Sequence, residues 1–194
     1  MEQIDVQDVL DVYCGARPYE PLFSPGTHYV GLDIDDAYGC ADIVSDELLP
    51  FPDKSFDLCF CTQAFYYVPD GPHAVAEFAR VLRPGGHAIV TVPVVYPGTE
   101  RLYSRAQLAE LFEGWERVTI VDNGRSVVSL MTLAGYLGHE LEKRSSSRLR
   151  PGFAALYALM NLIGEVGDRA ERRLLASSDA LPTNLLVHAQ TGSS

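Results

Sequence analysis

The chain has 194 residues, of which 47% are hydrophobic, and a net charge of −11. This size suits one domain with a sizeable core. The acidic excess, which lies in residues 1–100, argues against a nucleic-acid partner, because such binding draws on clustered cations. No stretch approaches the ~20 apolar residues of a membrane helix or the basic, apolar start of a signal peptide, and the four cysteines form no CxxC pair. We therefore expect a cytoplasmic protein without a metal site or a membrane partner.

Residues 9–35 contain two short apolar runs, each followed by residues that can serve a ligand. The first run, which includes Val9 and Leu10, carries Asp11 and ends in a turn at Gly15. The second run, residues 29–32, closes on Asp33. Two buried strands with this arrangement form a nucleotide-type cradle, because the turn lets a ligand approach the backbone and the acid can accept hydrogen bonds from both ribose hydroxyls.

The following residues alternate predicted strands with predicted helices. Pro72 opens a helix that the Pro-Gly-Gly sequence of residues 84–86 ends, and Ser104 is the predicted N-cap of a helix over residues 105–112. The short connection from Asp33 to Asp42 predicts a crossover that has lost its helix. Further apolar runs predict strands at residues 41–44, 58–61, 88–92, 117–121 and 184–189. This alternation predicts a doubly wound α/β sheet.

Residues 124–182 interrupt the alternation. They contain two apolar helical segments, 127–141 and 153–166, which are joined by the polar linker KRSSSRLRPG. We interpret the chain as a single domain, residues 1–194, with a helical insertion at residues 124–182 before the last strand. The insertion could cover the crevice, form the face of a homodimer or extend the core, and the sequence leaves these alternatives open.

The middle of the chain resembles a known family. The stretches LPFPDKSFDLCFCTQAFYYVPD and EFARVLRPGGHAIVTVP, together with the turn at residues 11–17, resemble the motifs of small class I methyltransferases that depend on S-adenosylmethionine (SAM), of the type 11-like group. The first family motif reads roughly D-x-G-x-G-x-G, and here Tyr13 and Arg17 replace two of its glycines, so that the motif is degenerate. The resemblance covers residues 9–93. It implies a Rossmann-like, mostly parallel seven-stranded sheet with the order 3-2-1-4-5-7-6 and an antiparallel last strand.

The resemblance also implies roles for individual residues. The turn from Asp11 to Gly15 would hold the methionine part of SAM, Arg17 could pair with the cofactor carboxylate, and Asp33 would bind the ribose. The residues implied near the adenine are Asp46 and Glu47, and those implied near the sulfonium are Thr62 and Gln63. Tyr66 and Tyr67 stand where many relatives carry Glu-His, so a phenol could orient the substrate or face the sulfonium as the catalytic group.

Two questions stay open at this point. The ring of Tyr13 could lie where the methionine part of the cofactor would sit, or it could turn into the sheet, and the second orientation is the one we expect. The function that the resemblance implies is SAM-dependent methyl transfer to a small molecule. The alternative is a methyltransferase-like protein that no longer methylates and that binds a partner or runs another reaction in the same pocket.

Overall fold

The computed structural model describes residues 6–45, 49–94, 101–145, 150–174 and 182–193. Within these residues the strands form one seven-stranded sheet. Contacts between Cα atoms divide the chain into two compact units, the first comprising Met1–Val92, Tyr103–Val121 and Leu186–Ser194, and the second Pro93–Leu102 and Asp122–Leu185. The interpretation of the whole chain as one domain with an insertion stays a prediction.

The strands and helices follow the predicted alternation. The strands are β1 (Asp8–Val12), β2 (His28–Asp33), β3 (Ile43–Val44), β4 (Phe56–Thr62), β5 (Leu82–Pro93), β6 (Arg117–Asn123) and β7 (Asn184–Gln190). The helices are α1 (Gly71–Val81), α2 (Arg105–Leu111), α3 (Ser126–Lys143) and α4 (Arg150–Leu174), and single 3-10 turns cover Glu20–Leu22 and Phe65–Tyr67. Residues 34–42, all of which are described, contain no helix, so the predicted crossover without a helix is confirmed.

The sheet has the order β3-β2-β1-β4-β5-β7-β6, as the family resemblance implies. The pairs β1–β2, β1–β4, β2–β3 and β4–β5 are parallel. The last strand runs in the opposite direction, because Thr191 N donates to Gly86 O near the start of β5 while Val94 N donates to Thr183 O just beyond its end. The predicted fold class is therefore confirmed.

Burial explains why the central strands read as continuous apolar runs. Val9 and Leu10 of β1 and Cys59 and Cys61 of β4 are fully buried, as expected for parallel strands that are covered on both faces. Helix α1 covers one of these faces with Phe78 and other buried residues at helical spacing.

The boundary between α1 and β5 differs from the prediction. The helix ends at Val81, and the Pro-Gly-Gly sequence lies inside β5 rather than in a loop. The register against β4 shifts there, with Phe56 opposite Leu82 but Leu58 opposite His87, so the extra residues form a bulge. Glycine is required at position 86, because a Cβ atom would lie 2.8 Å from the carbonyl oxygen of Arg83.

The second unit is built on the helices α3 and α4. The side chain of Glu171 accepts hydrogen bonds from the backbone N–H groups of Ser126 (3.2 Å) and Val127 (3.1 Å), which the first turn of α3 leaves free. The two apolar segments predicted in the insertion lie inside these longer helices. Among the described residues, no helix has the length and apolar character needed to cross a bilayer.

Candidate functional site

The candidate site lies at the carboxyl ends of β1, β2 and β4. Strand β1 pairs with β2 on one side and with β4 on the other, so the strand order changes direction between β1 and β4. Open α/β sheets bind ligands at such a switch point, outside the carboxyl ends of the strands. The residues predicted from the sequence follow these strand ends.

The turn after β1 has an unusual backbone. Tyr13, Gly15 and Arg17 have φ angles of 60°, 52° and 54°, which lie in the left-handed region that glycine favours. Tyr13 and Arg17 are the residues that replace two glycines of the family motif. The degenerate motif therefore keeps the backbone conformation for which the glycines are suited.

Asp33 fixes this turn from the end of β2. Its Oδ2 accepts a hydrogen bond from Gly15 N at 2.8 Å, and its Oδ1 accepts one from Ile34 N at 2.8 Å. A carboxylate offers about four lone-pair sites, so each oxygen can still accept a hydrogen bond from a ligand. Asp33 can thus hold the turn and bind two hydroxyl groups at the same time.

Asp11 lies in the interior, only 1% exposed, and its Oδ2 accepts a short hydrogen bond from the hydroxyl of Tyr29. Burial raises the pKa of Asp11 to about 6, against the lowering effect of that hydrogen bond. Asp11 therefore supports the two strands from within. Its predicted contact with a cofactor stays a prediction.

The guanidinium of Arg17 is held by groups of the same chain. It contacts the carboxylates of Asp42 (2.9 Å) and Glu20 (3.1 Å), donates to Tyr29 O at 3.1 Å and lies over the Tyr29 ring with its carbon 4.9 Å from the ring centre. These contacts tie the connection after β2 to the turn after β1. These contacts give Arg17 a structural role, and its predicted pairing with the cofactor carboxylate stays a prediction.

The residues predicted after β4 are split between the interior and the surface. Gln63 has a φ angle of 56° and is tied to β5, since its backbone N donates to Thr91 Oγ1 at 2.9 Å. Thr62, the last residue of β4, is partly buried. Tyr66 is buried and Tyr67 is 62% exposed, with their ring centres 4.3 Å apart. Tyr67 is therefore the phenol of this pair that can meet a ligand from solvent.

A cavity of about 360 Å³ opens beside the ends of β1 and β2. Tyr13 lines it, and burial, Cys61 and Asp33 together raise the pKa of the Tyr13 phenol. Its apolar wall contains Val12, Leu32, Leu49, Val68 and Phe78. Tyr13 therefore belongs to the cavity wall, and the expectation that its ring avoids the crevice stays a prediction.

The cavity wall contains four polar residues that were not predicted from the sequence: Ser45, Asp70, His73 and Glu77. Asp70 is the N-cap of α1 and accepts a hydrogen bond from His73 N at 3.0 Å. The signal available in the sequence was the position of Asp70 just before the helix that follows β4.

Arg80 holds part of this wall in place. Its guanidinium donates to Leu49 O (2.8 Å) and to Phe51 O (2.7 Å), and it pairs with Glu77 at 2.7 Å and with Asp53 at 2.9 Å. The hydrogen bond from Arg80 lowers the pKa of Glu77, which stays a carboxylate. Arg80 thereby joins α1 to the loop that precedes β4. Asp46 and Glu47, predicted near an adenine, lie outside the described residues.

This fold and site define a doubly wound α/β protein with a nucleotide-type cleft at the switch point of its sheet. Residues 10–90 match the family model described as "Methyltransferase domain". The predicted resemblance to the class I SAM-dependent methyltransferases is thereby confirmed over this part of the chain.

The similarity extends to individual proteins. The chain is 30% identical over 166 residues to a malonyl-[acyl-carrier protein] O-methyltransferase from Methylococcus capsulatus, a match that covers 82% of this chain and 52% of the relative. The fold resembles a SAM-dependent methyltransferase from Archaeoglobus fulgidus (TM-score 0.59, 15% identity, 95% of this chain and 86% of the other). It also resembles the [4+2]-cyclase SpnF, with a TM-score of 0.57 and 18% identity over 97% of this chain and 75% of the other. The chain spans about half the length of the curated relatives it matches.

Proposed function

We propose that the protein transfers a methyl group from SAM to a small molecule. The observation that carries this proposal is the pairing of Asp33 with Gly15 at the switch point, where a carboxylate with free acceptor sites lies against a left-handed turn. The match of residues 10–90 to a methyltransferase domain and the methyltransferase activity named for the relatives support the reaction type. The four cysteines, free in the described residues, support a reducing compartment and hence the cytoplasm.

The residues at this edge fit SAM. Asp33 can accept hydrogen bonds from the ribose hydroxyls, and the backbone from Tyr13 to Gly15 has the conformation that lets a ligand come close. SAM would supply a methyl group already activated on a sulfonium. Such a transfer depends on aligning the acceptor atom and excluding water, and a general base is not essential. In the proposal Tyr67 orients the substrate, and the buried Tyr66 packs beneath it.

The alternative function is a methyltransferase-like protein that does not methylate. One observation favours it: Tyr13 lines the cavity, where a glycine would leave more space. The resemblance to a structure named as a cyclase adds that this fold is found in proteins named for other reactions.

Calorimetric titration with S-adenosylhomocysteine tests the proposal. We expect binding by the unchanged protein and a loss of affinity of about 10- to 150-fold in Asp33→Ala, which corresponds to ~1.5–3 kcal/mol for hydrogen bonds to a charged group. Asp35→Ala is the matched control, because Asp35 is a neighbouring acid whose Oδ1 also accepts a backbone N–H, that of Ala37, at 3.0 Å.

The affinity of Asp35→Ala for S-adenosylhomocysteine should stay within about twofold of that of the unchanged protein. If the unchanged protein gives no heat and no shift of its melting temperature at millimolar ligand, the proposed cofactor is wrong. Equal affinities of the two variants would show that Asp33 only shapes the turn.

A further inference from the structure

Helices α3 and α4 form an antiparallel pair whose contact line is marked by small residues. A Cβ atom on Gly138 would lie 3.2 Å from the Tyr157 ring, and one on Gly164 would lie 3.9 Å from Met131. The Tyr157 hydroxyl donates to Glu142 at 3.0 Å. Along α3 the contact line thus contains residues 131, 135, 138 and 142, and along α4 it contains residues 157, 160, 164 and 167.

Each helix carries a second apolar line whose large side chains are partly exposed. On α3 the line is formed by Leu130, Ala134, Leu137 and Leu141, and on α4 by Leu156, Leu159, Ile163 and Val166. The spacing alternates between three and four residues, as in the seam of a coiled coil. The large side chains of these lines are between 42% and 61% exposed. We call the two lines together the hairpin seam.

Helix geometry places both lines on the same side of the pair. Every seam residue precedes a contact residue by one position, so on both helices the seam is rotated about 100° from the contact line in the same sense. Because the helices are antiparallel, equal rotations about the two helix axes place both seam lines on the same side of the pair. The hairpin seam is therefore one continuous two-helix face.

The size of this face matches one half of a protein–protein interface. A fully exposed aliphatic side chain carries on the order of 100 Å² of apolar surface that burial can remove. The half-exposed residues of the seam, with Leu162 at its edge (57% exposed), thus carry on the order of 400 Å². A standard interface buries about 800 Å² per partner, of which about 65% is apolar in homodimers.

The charges around the seam favour another protein over a lipid surface. Three cations of the two helices pair with acids of the same helix, in Lys143–Glu140 (2.8 Å), Arg169–Glu165 (3.3 Å) and Arg172–Asp168 (2.7 Å). An anionic bilayer attracts clusters of unpaired cations, and these ion pairs reduce that attraction. We propose that the hairpin seam binds the seam of a second copy of this chain, so that two antiparallel helix pairs form a four-helix interface.

A two-helix apolar face with heptad spacing is complementary to itself, as a twofold dimer requires. The test is the mass of the full chain in solution, measured by sedimentation velocity over about 1–100 μM. We expect a concentration-dependent change from the monomer mass of 21.3 kDa to twice that value. The double variant Leu137→Glu with Leu159→Glu should raise the dissociation constant at least about 100-fold, because it places carboxylates in the centre of the interface.

Leu22→Glu is the matched control, since Leu22 is 79% exposed and lies outside the hairpin; it should leave the dissociation constant unchanged. Leu137→Ala with Leu159→Ala keeps the helices intact, because alanine is a strong helix former, and should weaken the dimer without changing the circular dichroism spectrum. A protein that stays monomeric at all concentrations overturns the proposal. So does a dimer that persists in both double variants, or a monomer that binds phosphatidylcholine vesicles through the seam instead.

Discussion

Replacing Tyr13 by glycine and by alanine separates the strain of its backbone from the contacts of its ring. The φ angle of 60° costs a residue with a Cβ atom about 1–2 kcal/mol. Both variants lose the contacts of a partly buried ring, at a cost of about 1–2 kcal/mol. Only the glycine variant is also relieved of the backbone strain. Its greater conformational freedom in the unfolded chain lowers its free energy of unfolding by about 0.4–1 kcal/mol.

These values predict that Tyr13→Gly is more stable than Tyr13→Ala by about 1 kcal/mol and nearly as stable as the unchanged protein. Unfolding by urea, followed by circular dichroism, measures the difference. At an ordinary backbone position in this protein the order would be reversed, because alanine normally stabilises relative to glycine. An alanine variant that equals or exceeds the glycine variant would therefore refute the left-handed conformation of residue 13.

The same variant tests the space in the cavity. Our proposal has the cofactor bound with the Tyr13 ring in place, so the affinity for S-adenosylhomocysteine should stay within about threefold in Tyr13→Gly. A gain of more than about tenfold would show that the ring fills volume that the ligand needs. That result would favour the alternative function, a methyltransferase-like protein that does not methylate.

Two further predictions concern Asp11 and the glycines of α4. Burial raises the pKa of Asp11 to about 6, above its value in the unfolded chain, so its contribution to stability is complete below about pH 4 and is lost as the pH rises through 6. In Asp11→Asn, whose side chain can still accept a hydrogen bond from Tyr29, urea unfolding should show a pH dependence that is smaller by about 3 kcal/mol. Parallel pH profiles of the free energy of unfolding in the two proteins would contradict the raised pKa. Gly167→Ala should lower the free energy of unfolding by about 1–3 kcal/mol, because its Cβ atom would lie 2.3 Å from Val127. A Cβ atom on Gly152 would have nothing within 4 Å, so Gly152→Ala should raise the free energy of unfolding by up to about 1 kcal/mol. If both substitutions change the free energy of unfolding in the same direction, the close approach of the helices at Gly167 is contradicted.

The fold could be predicted because its buried central strands appear in the sequence as continuous apolar runs. Strands covered on both faces need continuous apolar runs, and β1 and β4 show them directly in the sequence. The order of the strands came from the family resemblance, because periodicity identifies strands without saying which of them pair. The bulge in β5 was missed, since a Pro-Gly-Gly sequence normally ends an element, and only the register against β4 shows that pairing resumes after it.

The site was predictable where one strand end determines the position of a residue. Asp33 directly follows the buried part of β2, and its carboxylate lies at the edge of the sheet. The contacts of Arg17 within the chain could not be predicted, because an arginine in an acidic chain has many possible partners, and only the fold brings Asp42 and Glu20 to it. Arg80 could not be foreseen either: its pairing with Glu77 is local, but the carbonyl groups of Leu49 and Phe51 are about thirty residues away.

The contacts of Arg80 have a consequence for the movement of the cavity wall. A wall built from a loop and a helix can usually open by movement of the loop alone, on the nanosecond-to-microsecond timescale of loop motion. Here the guanidinium joins Leu49 and Phe51 to Glu77, so that this side of the cavity opens only when several charge-assisted hydrogen bonds break together. Arg80, a side chain outside the cavity lining, therefore restricts the movement of this wall away from α1.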